Sequence, residues 1–433
     1  MVYGGYKFIE KKYNPRETDL IALFYVDPTK GISFEKALEA IASESSVGTW
    51  TKLKTIQEKK QNKLKAKVFW YDKKKKLCKI AYPIELFELS NIPQLLSSVA
   101  GNIFGIKAVE NLKLLDIKLP KIYINSFEGP EFGIIGVRNL FNVKDRPLLG
   151  SIIKPKLGLN ASEHAKLAYK VWIGGVDIIK DDENLTNQPF NKFEERIIKS
   201  LEARDKAINE TGERKEYMPN ITGPIDLMME RAEFVKNQGG NYVMVDVVTV
   251  GFSALQFLRK ITGKLKLVIH AHRAMHAAFT RKRNHGISML VLAKLLRLVG
   301  VDQLHIGTIV GKMEGSKEEV LEIKKEIEKE IIDENIKAKV LSQFWYNIKP
   351  VFPVASGGLH PGIVEDLVRY FGKDIIIQMG GGIHGHPKGA LYGAIAARQA
   401  IDAIMKGIKI KEYAKTHKEL SIALKKWGKK RVK

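Results

Sequence analysis

The chain has 433 residues, of which 45% are hydrophobic and 28% are charged, and its formal net charge at pH 7 is +24. This length and composition are typical of a globular protein with two or three domains. No apolar run approaches the roughly 20 residues that span a bilayer, and the first residues lack the apolar core of a signal peptide, so we expect no membrane partner. A single cysteine, Cys78, excludes an internal disulfide and fits a cytoplasmic location.

The positive charge has two interpretations. Basic residues cluster at 58–67, 73–76 and 425–433. Such clusters bind nucleic acid in some proteins, because they release counterions from the phosphate backbone. No recognition motif or zinc-ligand spacing accompanies them here. We therefore favour a solvated, lysine-rich surface around a site for an anionic small molecule, and expect no nucleic-acid partner.

Residues 1–125 have the element order β-α-β-β-α-β. This order predicts a small α+β domain of the ferredoxin-like type. The predicted strands are 20–28, 67–71, 77–83 and 108–120, and the predicted helices are 33–45 and 92–105.

From residue 126 onwards, short apolar strands alternate with amphipathic helices. This alternation predicts βα units around a parallel sheet. Eight such units indicate a TIM barrel over residues 126–433, ending in a basic helical tail from about residue 408. The predicted strands are 148–155, 176–183, 217–222, 242–249, 266–273, 303–309, 351–358 and 375–382, and helices are predicted at 162–175, 287–300 and 316–334.

Polar residues and glycines collect where these barrel strands end. The carboxyl ends of the strands form the active-site face of a TIM barrel, so residues at this position carry functional weight. A single one of them is better explained by a structural ion pair or a core histidine, whereas the whole set on one face indicates a site. The set comprises Lys154, Lys156, Lys180, Asp182, Glu183, His270, His272, Arg273, His305, Ser356, Gly357, Gly358, Gly380, Gly381 and Gly382.

The chemistry of these residues indicates a metal ion and two anions. Asp182 and Glu183 offer hard oxygen ligands, which suit Mg²⁺ better than zinc. The glycine-rich ends of strands seven and eight let backbone N–H groups approach a phosphate. Arg273 and His305 are candidates for a second anion. The candidates for proton transfer and for stabilising negative charge are Lys154, His272 and Lys312, the last in a glycine-flanked loop that we expect to be a mobile lid.

Several long motifs resemble the large subunit of ribulose-1,5-bisphosphate carboxylase/oxygenase (RuBisCO). The shorter chain and the stretch KPVFPVASGGLHPG are most similar to archaeal-type (form III) members. The motifs are ESSVGTWTK (44–52), AGNIFGIKA (100–108), IKPKLGL (153–159), GGVDIIKDDENLTNQPF (174–190), HAHRAMHAAFTRKRNHG (270–286), LHIGTIVGK (304–312), SGGLHPG (356–362) and QMGGGIHGHPKG (378–389).

The resemblance implies a role for the run KDDEN at 180–184. Lys180 matches the lysine that activator CO₂ converts to a carbamate, which ligates Mg²⁺ together with Asp182 and Glu183. Strand alternation places Lys180 and Asp182 on one side, and Glu183 can turn towards them. A protonated lysine there would repel the ion, so an ion pair and a metal site exclude each other. Asp181 points the other way and is interpreted as structural.

The resemblance also implies the remaining site residues. Lys154 serves acid/base steps with assistance from Lys156 and His272, and Lys312 stabilises the carboxylate formed when CO₂ adds. The other subunit of a homodimer, or of a ring of dimers without small subunits, lends two residues to each site. The lent residues are Glu44 and Asn102; one phosphate contacts Thr49, Trp50, Gly357, Gly358, Gly380 and Gly381, the other contacts Arg273 and His305, and Ser356 binds a substrate hydroxyl.

The sequence departs from the plant-type pattern in three places. Ile306 replaces a serine, GGGIHGHPKG lacks a threonine after the glycines, and the tail that packs over the closed loop is expected to be missing or replaced after Trp427. These changes spare the catalytic groups. They bear on phosphate affinity, on the choice between CO₂ and O₂, and on how the lid is held shut.

Three functions compete. The favoured one is carboxylation of ribulose 1,5-bisphosphate to two 3-phosphoglycerate, with a side reaction with O₂, in the salvage of AMP and other nucleoside monophosphates. The second is a RuBisCO-like enolase or isomerase acting on another phosphorylated sugar, and the third is nucleic-acid binding. The intact set of Lys312, Glu44 and Asn102 favours the first, because an enolase-type relative has no need of a lysine that stabilises added CO₂.

Overall fold

The computed structural model describes residues 7–48, 58–310 and 316–428, without the side chains of 58–60. The chain divides into two compact units. The first comprises residues up to Glu128 together with Met275–Leu298 and Lys329–Ile348. The second comprises Gly129–Ala274, Val299–Glu328 and the chain from Lys349 onwards.

Strands and helices alternate along most of the chain. The strands are β1 Leu20–Pro28, β2 Lys67–Asp72, β3 Leu77–Tyr82, β4 Val109–Lys118, β5 Leu148–Ile152, β6 Ile178–Lys180, β7 Glu216–Met218, β8 Tyr242–Asp246, β9 Val268–His272, β10 Gly286–Ile287, β11 Gln303–His305, β12 Ile331–Ile332, β13 Gln343–Phe344, β14 Phe352–Ser356 and β15 Ile376–Met379. The helices are α1 Phe34–Glu44, α2 Glu58–Leu64, α3 Ile92–Val99, α4 Lys121–Ile124, α5 Gly133–Phe141, α6 Ala161–Ile173, α7 Phe193–Thr211, α8 Ile225–Asn237, α9 Val247–Leu265 (kinked at Gly251), α10 Ala277–Thr280, α11 Met289–Val299, α12 Lys317–Glu328, α13 Val364–Phe371, α14 Gly381–His384, α15 Ala390–Met405, α16 Ile410–Tyr413 and α17 Lys418–Trp427, with 3₁₀ turns at Ile84–Leu86, Asn102–Gly105 and Pro361–Ile363.

The first unit is built on a mixed sheet with the strand order β10-β4-β1-β3-β2. Its strands β1 to β4 pair antiparallel in the order 4-1-3-2, and the predicted ferredoxin-like arrangement is confirmed. Leu23, Leu77 and Leu115 pack together in its core, because alternate residues of these strands face the same side. Ser33 caps α1 by accepting a hydrogen bond from the N–H of Lys36.

The second unit contains an eight-stranded parallel sheet with the order β7-β6-β5-β15-β14-β11-β9-β8. A parallel bridge between Asn220 and Met244 joins the two edge strands and closes the sheet into a barrel. The predicted TIM barrel is therefore confirmed. Its strands are almost wholly buried, as expected where helices cover the outer face and side chains fill the interior. The interior is apolar at one end, where the packed residues include Leu148, Ile178, Met218, Tyr242, Met244, Val268, Phe352, Val354 and Ile376.

Two predicted helices are shorter than the sequence pattern indicates. The helix predicted over 92–105 ends at Val99, because Ala100 leaves the helical region (φ −143°), and a 3₁₀ turn follows. The helix predicted over 316–334 ends at Glu328, because Ile331 and Ile332 pair with Phe344 and Gln343 in a small hairpin.

The predicted helices at 33–45, 162–175 and 287–300 are confirmed to within two residues at each end. The last described residues of the chain form α16 and α17. Within the described part of the chain, no helix has the length and apolarity needed to cross a bilayer.

Candidate active site

Contacts between side chains link the carboxyl ends of several barrel strands. Lys154 follows β5, Lys180 ends β6, His272 ends β9, His305 ends β11 and Ser356 ends β14. Because parallel strands in a closed barrel share one carboxyl end, these residues converge on one rim. The rim is predominantly polar, in contrast to the apolar residues at the other end of the barrel interior.

Lys180 lies at the centre of this rim and its side chain is buried. Its Nζ donates a hydrogen bond to the carbonyl oxygen of Asp181 at 2.6 Å and lies 3.9 Å from Oε2 of Glu183. Burial removes the water that would solvate an ammonium group and lowers the pKa of Lys180, although the nearby carboxylates of Glu183 and Asp182 oppose this effect.

Two other lysines form shorter ion pairs with the acidic residues. Lys154 Nζ lies 2.5 Å from Oδ2 of Asp182, and Lys156 Nζ lies 3.4 Å from Oε1 of Glu183. Burial alone would raise the pKa of Glu183, but the charges of Lys180 and His272 outweigh it and lower this pKa to about 2. Glu183 therefore remains ionised at neutral pH, and the ammonium group closest to Asp182 belongs to Lys154.

Asp181 points away from the rim into a buried network. Its carboxylate accepts hydrogen bonds from Arg196 Nε at 3.1 Å, from the Tyr217 hydroxyl at 2.5 Å and from the Asn220 N–H at 3.0 Å. His164 Nε2 lies 3.3 Å from the same carboxylate. Burial opposes ionisation of this carboxyl, but Arg196 and His164 outweigh it and hold its pKa well below the ordinary value. The structural interpretation of Asp181 is confirmed.

The donor set at the end of β6 fits Mg²⁺ only if Lys180 is modified. Across residues 7–48, 58–310 and 316–428, no three His, Cys, Asp or Glu side chains are grouped so that they could hold a metal ion. Asp182 and Glu183 supply two hard carboxylate ligands, and the buried amine of Lys180 lies 3.9 Å from Oε2 of Glu183. A carbamate on that amine would supply a third anionic oxygen.

His272 is held by a carboxylate that sequence reasoning missed. Its Nδ1 donates to Oδ1 of Asp246 at 2.7 Å, and its Nε2 lies 3.8 Å from Oε2 of Glu183. Asp246 is the last residue of β8, so the rule that selected the other residues at strand ends also applied to it. The carboxylate fixes one ring orientation and leaves Nε2 directed at the acidic centre.

The glycine-rich loops after β14 and β15 lie against each other. A Cβ on Gly382 would lie 2.1 Å from the carbonyl oxygen of Leu359, so the two backbones can approach this closely only at a glycine. Lys154 lies beside the same loop, since a Cβ on Gly380 would be 3.1 Å from its Cε. The predicted phosphate-binding residues Gly357, Gly358, Gly380 and Gly381 therefore belong to adjoining loops, next to one of the predicted catalytic lysines.

Arg273 lies over the loop after β11. A Cβ on Gly307 would be 2.6 Å from its guanidinium nitrogen, so the glycine leaves room for the side chain. Burial lowers the pKa of Arg273 to about 10, which leaves the group cationic at neutral pH. With His305 two residues before Gly307, the arrangement fits a second anion-binding position.

Glu44 and Asn102 belong to the first unit, where Asn102 Nδ2 donates to Oε1 of Glu44 at 3.4 Å. Thr49, Trp50 and Lys312 lie outside the described residues.

Comparison with known proteins matches both parts of the chain to one family. Residues 7–123 match the ribulose bisphosphate carboxylase large chain, N-terminal domain, and residues 133–427 match the catalytic domain of the same protein. The ribulose bisphosphate carboxylase of Methanocaldococcus jannaschii is 52% identical over 427 residues, which cover 97% of this chain and 99% of that protein. The enzyme of Methanosarcina mazei is 50% identical, covering 98% and 99% of the two chains.

Solved structures give the same result. The dimeric archaeal Rubisco of Hyperthermus butylicus has a TM-score of 0.93 and 47% identity, covering 98% of this chain and 99% of that chain. The octameric Rubisco of Pyrococcus horikoshii, solved with sulfate ion, has a TM-score of 0.91 and 50% identity, covering 97% and 96% of the two chains. The chain belongs to the ribulose bisphosphate carboxylase large-chain family and is similar throughout its length to the archaeal members.

Proposed function

We propose that this protein is an enzyme, a carbon-carbon lyase that carboxylates ribulose 1,5-bisphosphate to give two molecules of 3-phosphoglycerate. The observation that carries the proposal is the rim itself: Lys180, Asp182 and Glu183 meet Lys154 and His272 within 4 Å contacts, between two places suited to anions. A substrate with a phosphate at each end fits this layout. Full-length identity of about 50% to archaeal ribulose bisphosphate carboxylases supports the assignment.

The metal site is proposed to form on Lys180. A neutral amine attacks CO₂, an N–C bond forms and a proton leaves, and the burial that disfavours an ammonium group favours the amine that this step needs. Asp182, Glu183 and the carbamate would then hold Mg²⁺. When bound, the ion supplies Lewis-acid polarisation of the substrate's carbonyl oxygen.

The other side chains act on the substrate directly. Lys154, with Lys156 beside it, moves protons at the reacting carbon atoms, and Nε2 of His272 accepts and returns a proton in the orientation set by Asp246. Lys312 stabilises the carboxylate that forms when CO₂ adds, and Glu44 and Asn102 reach the site of a partner subunit. One phosphate would contact Thr49, Trp50, Gly357, Gly358, Gly380 and Gly381. The other would be bound by the Arg273 guanidinium and contact His305, while Ser356 binds a substrate hydroxyl.

The proposal also covers the side reaction, the location, the pathway and the assembly of the protein. We expect an O₂ side reaction, a cytoplasmic location and a place in nucleoside monophosphate salvage, as for archaeal-type relatives. The buried free thiol of Cys78 is compatible with a reducing compartment. The assembly is proposed to be a homodimer or a ring of dimers without small subunits, since relatives of known structure are described as dimeric and octameric. We place the domain boundary at residues 125/126.

Replacement of Lys312 tests carboxylation against simple enolisation. Lys312→Ala should retain exchange of the substrate's C3 proton with solvent and lose carboxylation by about 10³-fold, because the side chain acts after the proton has left. The measurement is tritium exchange and ¹⁴CO₂ fixation on the same preparation. An unchanged fixation rate would remove Lys312 from the mechanism, and a wild-type protein that exchanges the proton without fixing CO₂ would favour an enolase or isomerase.

A further inference from the structure

A chain of hydrogen bonds runs from the active-site rim into the barrel interior. Ser356 Oγ lies 2.8 Å from Nδ1 of His305, and Nε2 of His305 lies 2.9 Å from Nε2 of His270. His270 Nδ1 lies 2.7 Å from Oε1 of Gln303, and the Nε2 of this amide donates to the Tyr242 hydroxyl at 3.1 Å. All these side chains belong to strands β8, β9, β11 and β14 of the barrel.

The two histidines are enclosed and neutral. His270 is completely buried and His305 is 3% exposed. Desolvation, reinforced by the charge of Lys180, lowers the pKa of His270 to about 3, and desolvation together with His272 and His270 lowers that of His305 well below its ordinary value. Each ring therefore carries one N–H and one lone pair, so each must donate with one nitrogen and accept with the other.

The amide of Gln303 determines which atom is donor and which is acceptor in every hydrogen bond of this series. A carbonyl oxygen only accepts, so His270 donates from Nδ1 and accepts at Nε2. His305 must then donate from Nε2 and accept at Nδ1. Ser356 consequently donates its hydroxyl proton to His305, and both lone pairs of Oγ remain available on the side away from the ring.

We propose that Gln303 is a positioning residue for the substrate: through His270 it fixes the tautomer of His305, and thereby turns Ser356 into an acceptor for a substrate hydroxyl. This inference rests on the proposed function, in which Ser356 contacts that hydroxyl. Gln303 itself is buried and lies two residues before the end of its strand at the rim, so it acts only through the chain of hydrogen bonds. Tyr242 anchors the amide from the opposite side.

The tautomers can be read directly, without any turnover. Protein labelled with ¹⁵N-histidine gives imidazole shifts that distinguish Nδ1–H from Nε2–H rings, and the signals are assigned by their loss in His270→Gln and His305→Gln. The free wild-type enzyme should show His270 protonated at Nδ1 and His305 protonated at Nε2. His305 protonated at Nδ1 would overturn the proposal. Because this result does not depend on activity, it stands apart from any failure of the carboxylase assignment.

Steady-state kinetics test the consequence for binding. Gln303→Leu should mix the tautomers and raise KM for ribulose 1,5-bisphosphate about tenfold, with little change in kcat, because a substrate hydrogen bond present before and during the reaction is lost. Ser356→Ala should have the same effect, and the double variant should be no worse than either single variant. Additive increases in KM, or wild-type KM in Gln303→Leu, would contradict the proposal.

Gln343→Leu is the matched control. Gln343 is also a buried glutamine with a bonded side-chain amide, which contacts the backbone of Leu119 in the first unit. Its replacement should lower thermal stability while leaving the histidine tautomers and KM unchanged. An equal rise in KM in this control would show that the effect of Gln303→Leu is general destabilisation, and the proposal would fail.

Discussion

Lys180 owes its expected chemistry to the place of its amine. An ammonium group in the same position would compete with a divalent cation for Asp182 and Glu183. Burial beside a backbone carbonyl lowers the pKa of Lys180 and so disfavours this charged form. The closest ammonium partner of Asp182 is Lys154 instead. The run KDDEN is thus a strand end that separates its acids: Asp181 stabilises the barrel wall, and Asp182 and Glu183 face the rim.

Asp246 provides a prediction at the same scale. Asp246→Asn is nearly isosteric, but its amide no longer guarantees an acceptor for the Nδ1–H of His272, so the ring can turn or change tautomer. We expect kcat to fall by about 10²-fold or more with little change in KM, since Nε2 of His272 must be correctly oriented to move a proton during the chemical step. Steady-state kinetics check this. A higher KM without a loss of kcat would instead make Asp246 a substrate-binding residue.

Sequence reasoning found individual residues but not their partners. Lys180, Asp182, Glu183, His272 and Ser356 could be selected because barrel strands place their carboxyl ends on one face. The hydrogen bonds from His272 to Asp246 and from His270 to Gln303 join residues that are 26 and 33 positions apart in the sequence. Such pairs depend on which strands become neighbours and on the register between them. The local sequence pattern determines neither.

At the scale of elements, the loops after β14 and β15 behave as one structure. Gly382 brings the second loop against the backbone of Leu359 and His360 in the first. The carboxyl-terminal helix α17 supports both loops: the Trp427 ring stacks on His360 at 5.7 Å between centroids, and Lys426 Nζ donates to the carbonyl oxygen of Gly385 at 2.6 Å. The order of these loops therefore depends on contacts made more than 40 residues later in the chain.

Two adjacent glycines separate packing from binding in this region. Gly382→Ala should destabilise the protein by about 1–3 kcal/mol, because its Cβ collides with backbone atoms. A Cβ on Gly381 would have no atom within 4 Å, so the unfolding temperature of Gly381→Ala should equal that of the wild type. Its KM for the bisphosphate should nevertheless rise. Thermal unfolding and steady-state kinetics on both variants check the pair. A normal KM in Gly381→Ala would place the phosphate elsewhere.

The errors in element prediction have a common cause. The amphipathic pattern continued beyond both Val99 and Glu328, so periodicity alone extended each helix. The chain leaves α12 because a nonlocal hairpin between Ile331–Ile332 and Gln343–Phe344 competes for the same residues. The eight barrel strands were found because each is a short apolar run bounded by helical periodicity, a signal that needs no distant partner.

At the scale of the whole molecule, the proposed function requires two subunits for each active site. Glu44 and Asn102 are bonded to each other in the first unit, and Lys180 lies in the barrel of the second. Glu44→Gln and Lys180→Ala should each be inactive alone. If sites are shared, a mixed dimer carries one intact site, so unfolding and refolding an equal mixture should restore about a quarter of wild-type activity by random pairing.

The complementation is read as ¹⁴CO₂ fixation after refolding, with each variant refolded alone as its control. A refolded mixture of Gln343→Leu and Lys180→Ala provides a further comparison, because the active sites of Gln343→Leu are intact before mixing. No recovery in the Glu44→Gln and Lys180→Ala mixture, despite mixed dimers shown by mass spectrometry, would mean that each chain builds its own site.

The central claim is that this chain fixes CO₂ onto ribulose 1,5-bisphosphate at the rim around Lys180. The most direct measurement is incubation of the purified wild-type protein with ribulose 1,5-bisphosphate, Mg²⁺ and ¹⁴CO₂, alongside Lys180→Ala and a sample with EDTA. We expect labelled 3-phosphoglycerate from the wild type alone. Absence of labelled product from the wild type, or equal labelling by Lys180→Ala, would contradict it.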